Sequence, residues 1–158
     1  MLWDYKFSIG FSGTRDNINE KQKNALRNVL NYYNATEFHH GDCVGADSEF
    51  HDIVAQLLGA KIIIHPPINN VLRAFKNSDN IMIEKDYLQR NRDIVDVSDL
   101  IIAIPKELRE QKKSGTWATI RYARKIKVPV IMIAAGGEVL FHDRCLDKIV
   151  PWSPDSLY

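Results

Sequence analysis

Five consecutive apolar residues, Leu100 to Ile104 (LIIAI), constrain the fold of this chain more than any other feature. A strand with an apolar side chain at every position has no face for water, so it belongs in a sheet covered on both sides. Lys61 to His65 (KIIIH) and Val128 to Ala134 (VPVIMIA) repeat the pattern, and stretches of helical periodicity fall between such runs. Parallel sheets are buried in this way because their crossover helices lie on both faces. The expected fold is α/β: a Rossmann-like, doubly wound, mostly parallel sheet with helices on both faces.

The remaining elements follow from the same patterns. Tyr5 to Phe11 reads as a first strand and Glu37 to His40 as a second. Asn17 and Glu20 have capping-box spacing before a helix carrying Leu26, Val29, Leu30 and Tyr33. Ala46, Phe50, Ile53, Val54, Leu57 and Leu58 make a second helical stripe, ended by Gly59. Pro66 and Pro67 stop the third strand. Residues 68–83 are ambiguous between a short helix (Ile68, Val71, Leu72, Phe75) and turns (Asn77 to Asn80). Glu84 to Val97 and Gly115 to Lys127 read as helices joined through the central strand and a charged connection, Lys106 to Lys113. Glu138 to Phe141 is a last strand, and Trp152 is expected to pack on the body.

With 158 residues and no linker, repeat or low-complexity segment, residues 1–158 are expected to form a single domain. The formal net charge of +1 supplies no global field toward DNA or a membrane, so an anion must be held by local basic groups and backbone amides. No apolar run reaches membrane-spanning length. The start, MLWDYKFSIG, lacks the layout of a signal peptide, so the expected location is cytoplasmic. Cys43 and Cys145, widely separated, are expected as thiols. No metal site is expected, because no cysteine–histidine spacing suits zinc.

Four polar motifs fall where strands or helices end, which in such sheets is where ligands bind. GFSGTRD (Gly10 to Asp16) follows the first strand. Gly10 and Gly13 permit tight turns, Thr14 offers a hydroxyl, Arg15 offers a guanidinium for phosphate, and the next helix offers free amides. HGDCVGAD (His40 to Asp47) follows the second strand, with Gly41 and Gly45 bending the loop. Asp42 and Asp47 fit ribose hydroxyls, while capping of the second helix is an equal use for Asp47. Cys43 reads as a small buried hydrophobe rather than a nucleophile.

YLQRNRDIV (Tyr87 to Val95) places Tyr87, Asn91, Ile94 and Val95 on one helical face, which turns Asn91 inward. Arg90 and Arg92 flank it, each with a carboxylate four residues away (Asp86, Asp96). In SGTWATIRYA (Ser114 to Ala123), Ser114, Gly115 and Thr116 begin a helix suited to phosphate. Trp117 fits either base stacking or the core.

As a set, GFSGTRD, HGDCVGAD, the HPP at His65 to Pro67, the Tyr87–Arg90–Asn91 helix and SGTW resemble the SLOG superfamily. This Rossmann-like group includes Smf/DprA and the LOG phosphoribohydrolases, and the chain looks closest to its YspA/YpsA-related branch. The resemblance runs from about Lys6 to Ile133. It implies a nucleotide-type ligand held by Gly13, Thr14, Arg15, Gly41, Asp42, Gly45, Asp47, Arg90, Asn91, Ser114, Gly115 and Thr116, with no cofactor. It also implies a homodimer or larger homo-oligomer.

LOG enzymes carry P-G-G-x-G-T-x-x-E, and here the glutamate position holds Thr119. N-glycoside cleavage needs a carboxylate, which a threonine cannot supply. The sequence therefore favours a sensor or sequestering module for a nucleotide-derived small molecule, for example an ADP-ribose-type signal. The alternative is a phosphoribohydrolase in which Asp42 or Asp47 replaces the glutamate. DNA handling, as in DprA relatives, is disfavoured by the absence of a basic stripe.

Overall fold

The structure, a computed structural model, describes residues 6–143 and 145–156. Strands β1 (Ser8–Gly13), β2 (Glu37–His40), β3 (Lys61–Ile64), β4 (Asn80–Ile81), β5 (Leu100–Ile104) and β6 (Val130–Ile133) run parallel to one another. Strands β7 (Val139–Asp143) and β8 (Lys148–Pro151) add an antiparallel hairpin at one end. The order in the sheet is β4-β3-β2-β1-β5-β6-β7-β8, so the direction of strand addition reverses between β1 and β5. The helices are α1 (Glu20–Tyr33), α2 (Ala46–Val54), α3 (Tyr87–Asp96) and α4 (Gly115–Lys125).

Strand β5 explains the two-layered core. All five residues are fully buried, but they serve opposite sides. Leu100, Ile102 and Ile104 pack with Phe11, Leu26 and Phe50 under α1 and α2. Ile101 and Ala103 pack with Val95, Trp117 and Ile120 under α3 and α4. Ser98 to Ile104 thus runs through the middle of the molecule, and Ile9 to Gly13 pairs with Leu100 to Ile104 in register. Among the described residues no helix is long and apolar enough to cross a membrane.

Local details differ from the sequence expectation. The N-cap of α1 is Asn19 rather than Asn17, in a reciprocal box with Gln22, because the loop after β1 runs on for longer than the motif suggested. Helix α2 stops at Val54, leaving Leu57 half-buried in the following turn and Leu58 fully exposed. Asp86 caps α3, so that helix begins at Tyr87 rather than Glu84. Residues 68–83 hold one short 3₁₀ turn, Asn70–Leu72, and strand β4, where a turn was expected. Helix α4 ends at Lys125, and Lys127 has a positive φ of 67°. Strand β8 was not foreseen. Trp152 packs beside Tyr33 and donates its indole N–H to the Tyr33 hydroxyl at 2.7 Å. Tyr5 lies outside the described residues.

Candidate functional site

A cavity of about 660 Å³ opens at the carboxyl ends of β1 and β5, at the point where strand order reverses. Such switch points are where open α/β sheets take their ligands. Its walls come from the loop after β1, the loop after β2, the first turns of α3 and the start of α4.

The β1 wall is fixed by backbone bonds. Thr14 N–H donates to the Ile104 carbonyl at 2.9 Å, prolonging the β1–β5 ladder. Ala46 N–H donates to the Thr14 carbonyl at 3.0 Å. Asp16 N–H donates to Thr14 Oγ1 at 3.1 Å, which leaves the hydroxyl proton able to donate. Arg15 stands exposed at the rim.

Gly10 and Gly13 turn out to lie within β1 and not in a turn. They are small for packing: a Cβ on Gly10 would strike Ser98, Ile101 and Ile94, and one on Gly13 would strike Ala46. Nor does the N-terminus of α1 reach the cavity. It begins at Glu20, and the amides of Ile18 and Asn19 are taken by Glu49 and Gln22.

The α4 wall offers what α1 does not. Ser114 caps the helix by accepting from Trp117 N–H at 3.2 Å. The amides of Gly115 and Thr116 belong to the first turn, which has no intrahelical acceptors, and both residues line the cavity. Trp117 is 2 % exposed and donates its indole N–H to the Glu107 carbonyl at 3.0 Å, so it serves the core and anchors the connection. Of the basic residues in that connection, Lys106 and Lys113 reach the cavity, while Arg109 and Lys112 are not among its walls.

The third wall is built on Arg90. Its guanidinium is buried and binds four partners. Nη1 donates to the carbonyls of Gly41 and, at 3.1 Å, His65. Nη2 donates to Cys43 Sγ at 3.2 Å, and Nε to Asn91 Oδ1 at 2.8 Å. The buried face of α3 is therefore Arg90, Ile94 and Val95, and Asn91 is only half-buried. The inward-facing polar residue of this helix is the arginine, not the asparagine. Neither expected arginine–carboxylate pair forms. Asp86 is used as a cap, and Arg92 lies 5.4 Å from the centre of the Tyr122 ring.

The two acidic candidates separate. Asp42 is fully buried with φ of 57°, and its carboxylate accepts from Arg73 Nε and Lys76 N–H, both at 3.0 Å. It does not line the cavity; it holds the segment after the 3₁₀ turn against the β2 loop. Asp47 does line the cavity. It is no cap for α2, whose N-cap is Gly45; instead its carboxylate accepts from Cys43 N–H at 3.2 Å. Burial pushes its pKa up to about 6, against the opposing charge of Arg90.

Gly45 also stands outside the cavity. Its φ of +87° and its contact with the Arg15 carbonyl leave no room for a side chain, so it sets the β1 loop indirectly. Cys43 is half-exposed to the cavity rather than a core residue, and burial together with Asp47 raises its thiol pKa, which keeps it protonated. Thr119 turns its hydroxyl back to the Gly115 carbonyl at 3.1 Å and does not line the cavity.

Behind the β2 loop lie four buried histidines. His40 Nδ1 accepts from Asp42 N–H, so its Nε2 carries the proton and donates to His51 Nδ1 at 2.9 Å. His39 Nε2 faces Glu37 at 2.9 Å, and its Nδ1 meets His65 Nε2 at 2.9 Å. Burial lowers the pKa of all four, that of His65 to about 4. Among the described residues, no group of three or more histidine, cysteine or acidic side chains is arranged to hold a metal ion.

Sequence reasoning missed Tyr87, Glu107 and Gln111 as cavity residues. Tyr87 sat inside a quoted motif as a presumed inward residue; the other two lay in a connection read only for its charge.

No protein-family model matches the chain, and no curated protein matches it. Solved structures do match, two of them molybdenum cofactor proteins. The molybdenum cofactor binding protein from the phototrophic bacterium Rippkaea orientalis aligns at a TM-score of 0.58 and 22% identity, over 83% of this chain and 78% of that one. The Moco carrier protein from Chlamydomonas reinhardtii aligns at 0.56 and 19%, over 84% and 77%. At these identities, what the three chains demonstrably share is the α/β fold.

Proposed function

We propose that this chain binds and holds a phosphorylated small molecule of nucleotide type in the cavity at the switch point. One observation carries the reading. The Thr14–Arg15 turn after β1 and the Ser114–Thr116 start of α4, two elements suited to phosphate, open onto the same cavity. Thr14 donates its hydroxyl, Gly115 and Thr116 their amides, and Arg15 closes on the phosphate from the rim. Asn91, Tyr87 and Trp117 border the remainder of the space.

The fold neighbours support a holding role, since their names describe binding and carriage of the molybdenum cofactor. The motif resemblance to the YspA/YpsA-related branch of the SLOG superfamily supports a sensor or sequestering module, acting as one domain in the cytoplasm. The hydroxyl of Thr119, turned onto its own helix, gives no catalytic carboxylate at the LOG glutamate position.

A second reading, hydrolysis of a nucleotide N-glycoside, is favoured by Asp47 alone. It is a buried carboxylate facing the cavity, with a pKa raised into the range useful for general acid–base chemistry. Asp42 drops out because Arg73 and Lys76 occupy its oxygens.

The test is incubation with nucleoside monophosphates, NAD, ADP-ribose and its cyclic isomers, and molybdenum cofactor, followed by mass spectrometry of free and bound fractions. Retention of an intact ligand is expected. Release of free base, lost in Asp47→Asn, would instead establish the enzyme. For the retained ligand, Arg15→Ala is expected to weaken binding roughly tenfold or more, the value of a charge-assisted contact of about 1.5 kcal/mol. An unchanged affinity by calorimetry would remove Arg15 from the site.

A further inference from the structure

Resting on the nucleotide reading of the cavity, we infer that its ligand carries a second phosphate, seated outside the cavity in the groove between α3 and α4. The groove has a volume of about 290 Å³ and shares Leu88 and Asn91 with the cavity, so the two spaces adjoin across one edge. Both helices begin at the cavity, and the groove leads away from it between them. Arg92 stands one turn beyond Leu88, and Lys125 two turns beyond Ala118. Arg121 is the third cation of these walls.

The charges of the groove are not balanced by its surroundings. Asp96, four residues after Arg92, is engaged by the Tyr122 hydroxyl, which donates to it at 2.7 Å. Asp93 accepts from Lys85 and Gln89, and Glu110 lies 3.5 Å from Arg121. Among the described residues, Arg92 and Lys125 have no ion-pair partner. Arg92 instead lies over the Tyr122 ring, a groove residue itself. Stacking uses the face of a guanidinium and leaves its in-plane N–H donors for an anion, with the fork geometry that suits phosphate. At the shared edge, Asn91 Oδ1 accepts from Arg90, which leaves the amide NH₂ of Asn91 to donate.

The occupant is part of the cavity's own ligand because of size and continuity. A space this small is at the lower limit of ligand pockets and takes one phosphate with part of a sugar. Six residues separate Gly115 in the first phosphate seat from Arg121 in the groove, a rise of about 9 Å along α4. Long side chains on a helix lean toward its N-terminus, here toward the cavity, and shorten that gap. The ligand class is therefore a nucleotide phosphorylated at two places with its nucleoside between them, or a dinucleotide with an additional phosphate.

The experiment is calorimetric titration of the full chain with matched pairs that differ by one phosphate. These are adenosine and guanosine 5′-monophosphates against their 3′,5′-bisphosphates, and NAD against NADP. The variant is Arg92→Gln combined with Lys125→Gln; both residues are exposed, so far-UV circular dichroism is expected to be unchanged. In wild type the additional phosphate is expected to tighten binding at least ~10-fold. In the variant that gain falls below ~3-fold, while the affinity for the singly phosphorylated partner stays within ~2-fold. A gain that is absent in wild type, or that survives in the variant, overturns the inference and leaves the cavity reading standing. If no compound of the series binds, the cavity reading falls and the inference with it. Single-stranded DNA bound by wild type and released in the variant, without any gain from the additional phosphate, would assign the groove to a polyanion instead.

Discussion

Replacing Arg90 with methionine is expected to lower the free energy of unfolding by about 3–5 kcal/mol, the range found when one partner of a buried charged network is removed. Methionine keeps the length and apolar stem of the side chain, so the loss falls on the guanidinium. That group supplies donors to the Gly41 and His65 carbonyls, to Cys43 and to Asn91, joining the ends of β2 and β3 to α3. It is also the main opposing charge near Asp47, whose pKa should climb further above 6 once the cation is gone. The neighbouring cavity lets water reach some of these groups, which favours the lower end of the range. Arg90→Lys keeps the charge but cannot fork to two carbonyls, and should fall between wild type and Arg90→Met. Urea unfolding at neutral pH measures both. A loss below about 1 kcal/mol in Arg90→Met would show that this network does not hold the site together.

Stability should also fall as the pH drops from neutral toward 4, through the four buried histidines. Their folded pKa values lie below the unfolded value of 6.5, so each contributes stability that is complete above 6.5 and is lost as the pH falls toward the folded pKa. For His65, lowered to about 4, the loss is on the order of 3 kcal/mol. Asp47 works in the opposite direction. Its folded pKa is raised from 3.8 to about 6, so protonation stabilises the fold over the same window by a comparable amount. These two roughly cancel, and His39, His40, His51 and the buried His142 of β7, all with lowered pKa values, decide the sign. A net loss is expected, steeper in Asp47→Asn, which removes the opposing contribution. Urea midpoints at a series of pH values provide the check. A flat profile in Asp47→Asn would mean that the histidines titrate near their ordinary value in the folded state.

Much of this architecture was legible because β5 is so one-sided in composition. A strand without a polar residue leaves few folds open, and Leu100 to Ile104 serves both core layers. The placement of the loops after β1 and β2 and the starts of α3 and α4 around one end of the sheet followed from that. Side-chain direction was less legible. Periodicity chose Asn91 as the inward residue of α3, yet Arg90 is buried because backbone carbonyls from two other strands await it, and no local pattern encodes those. Asp42 and Asp47 look alike in HGDCVGAD. They part because residues 73–76, read as ambiguous, fold back to occupy Asp42. Strand β4 escaped notice because two residues are too few for a period.

The separation between β1 and β5 also bears on how the protein is made. Ile9 pairs with Leu100, and the cavity walls run from Phe11 to Trp117. At roughly 5–20 residues per second of synthesis, several seconds pass between the appearance of the first wall and the last. During that interval the nascent chain has the turn after β1 but neither Gly115 nor Thr116, the other half of the proposed phosphate site. On the proposed function, ligand capture must therefore wait until α4 has been made, and a shortage of ligand should not hinder the folding of the segments that precede it.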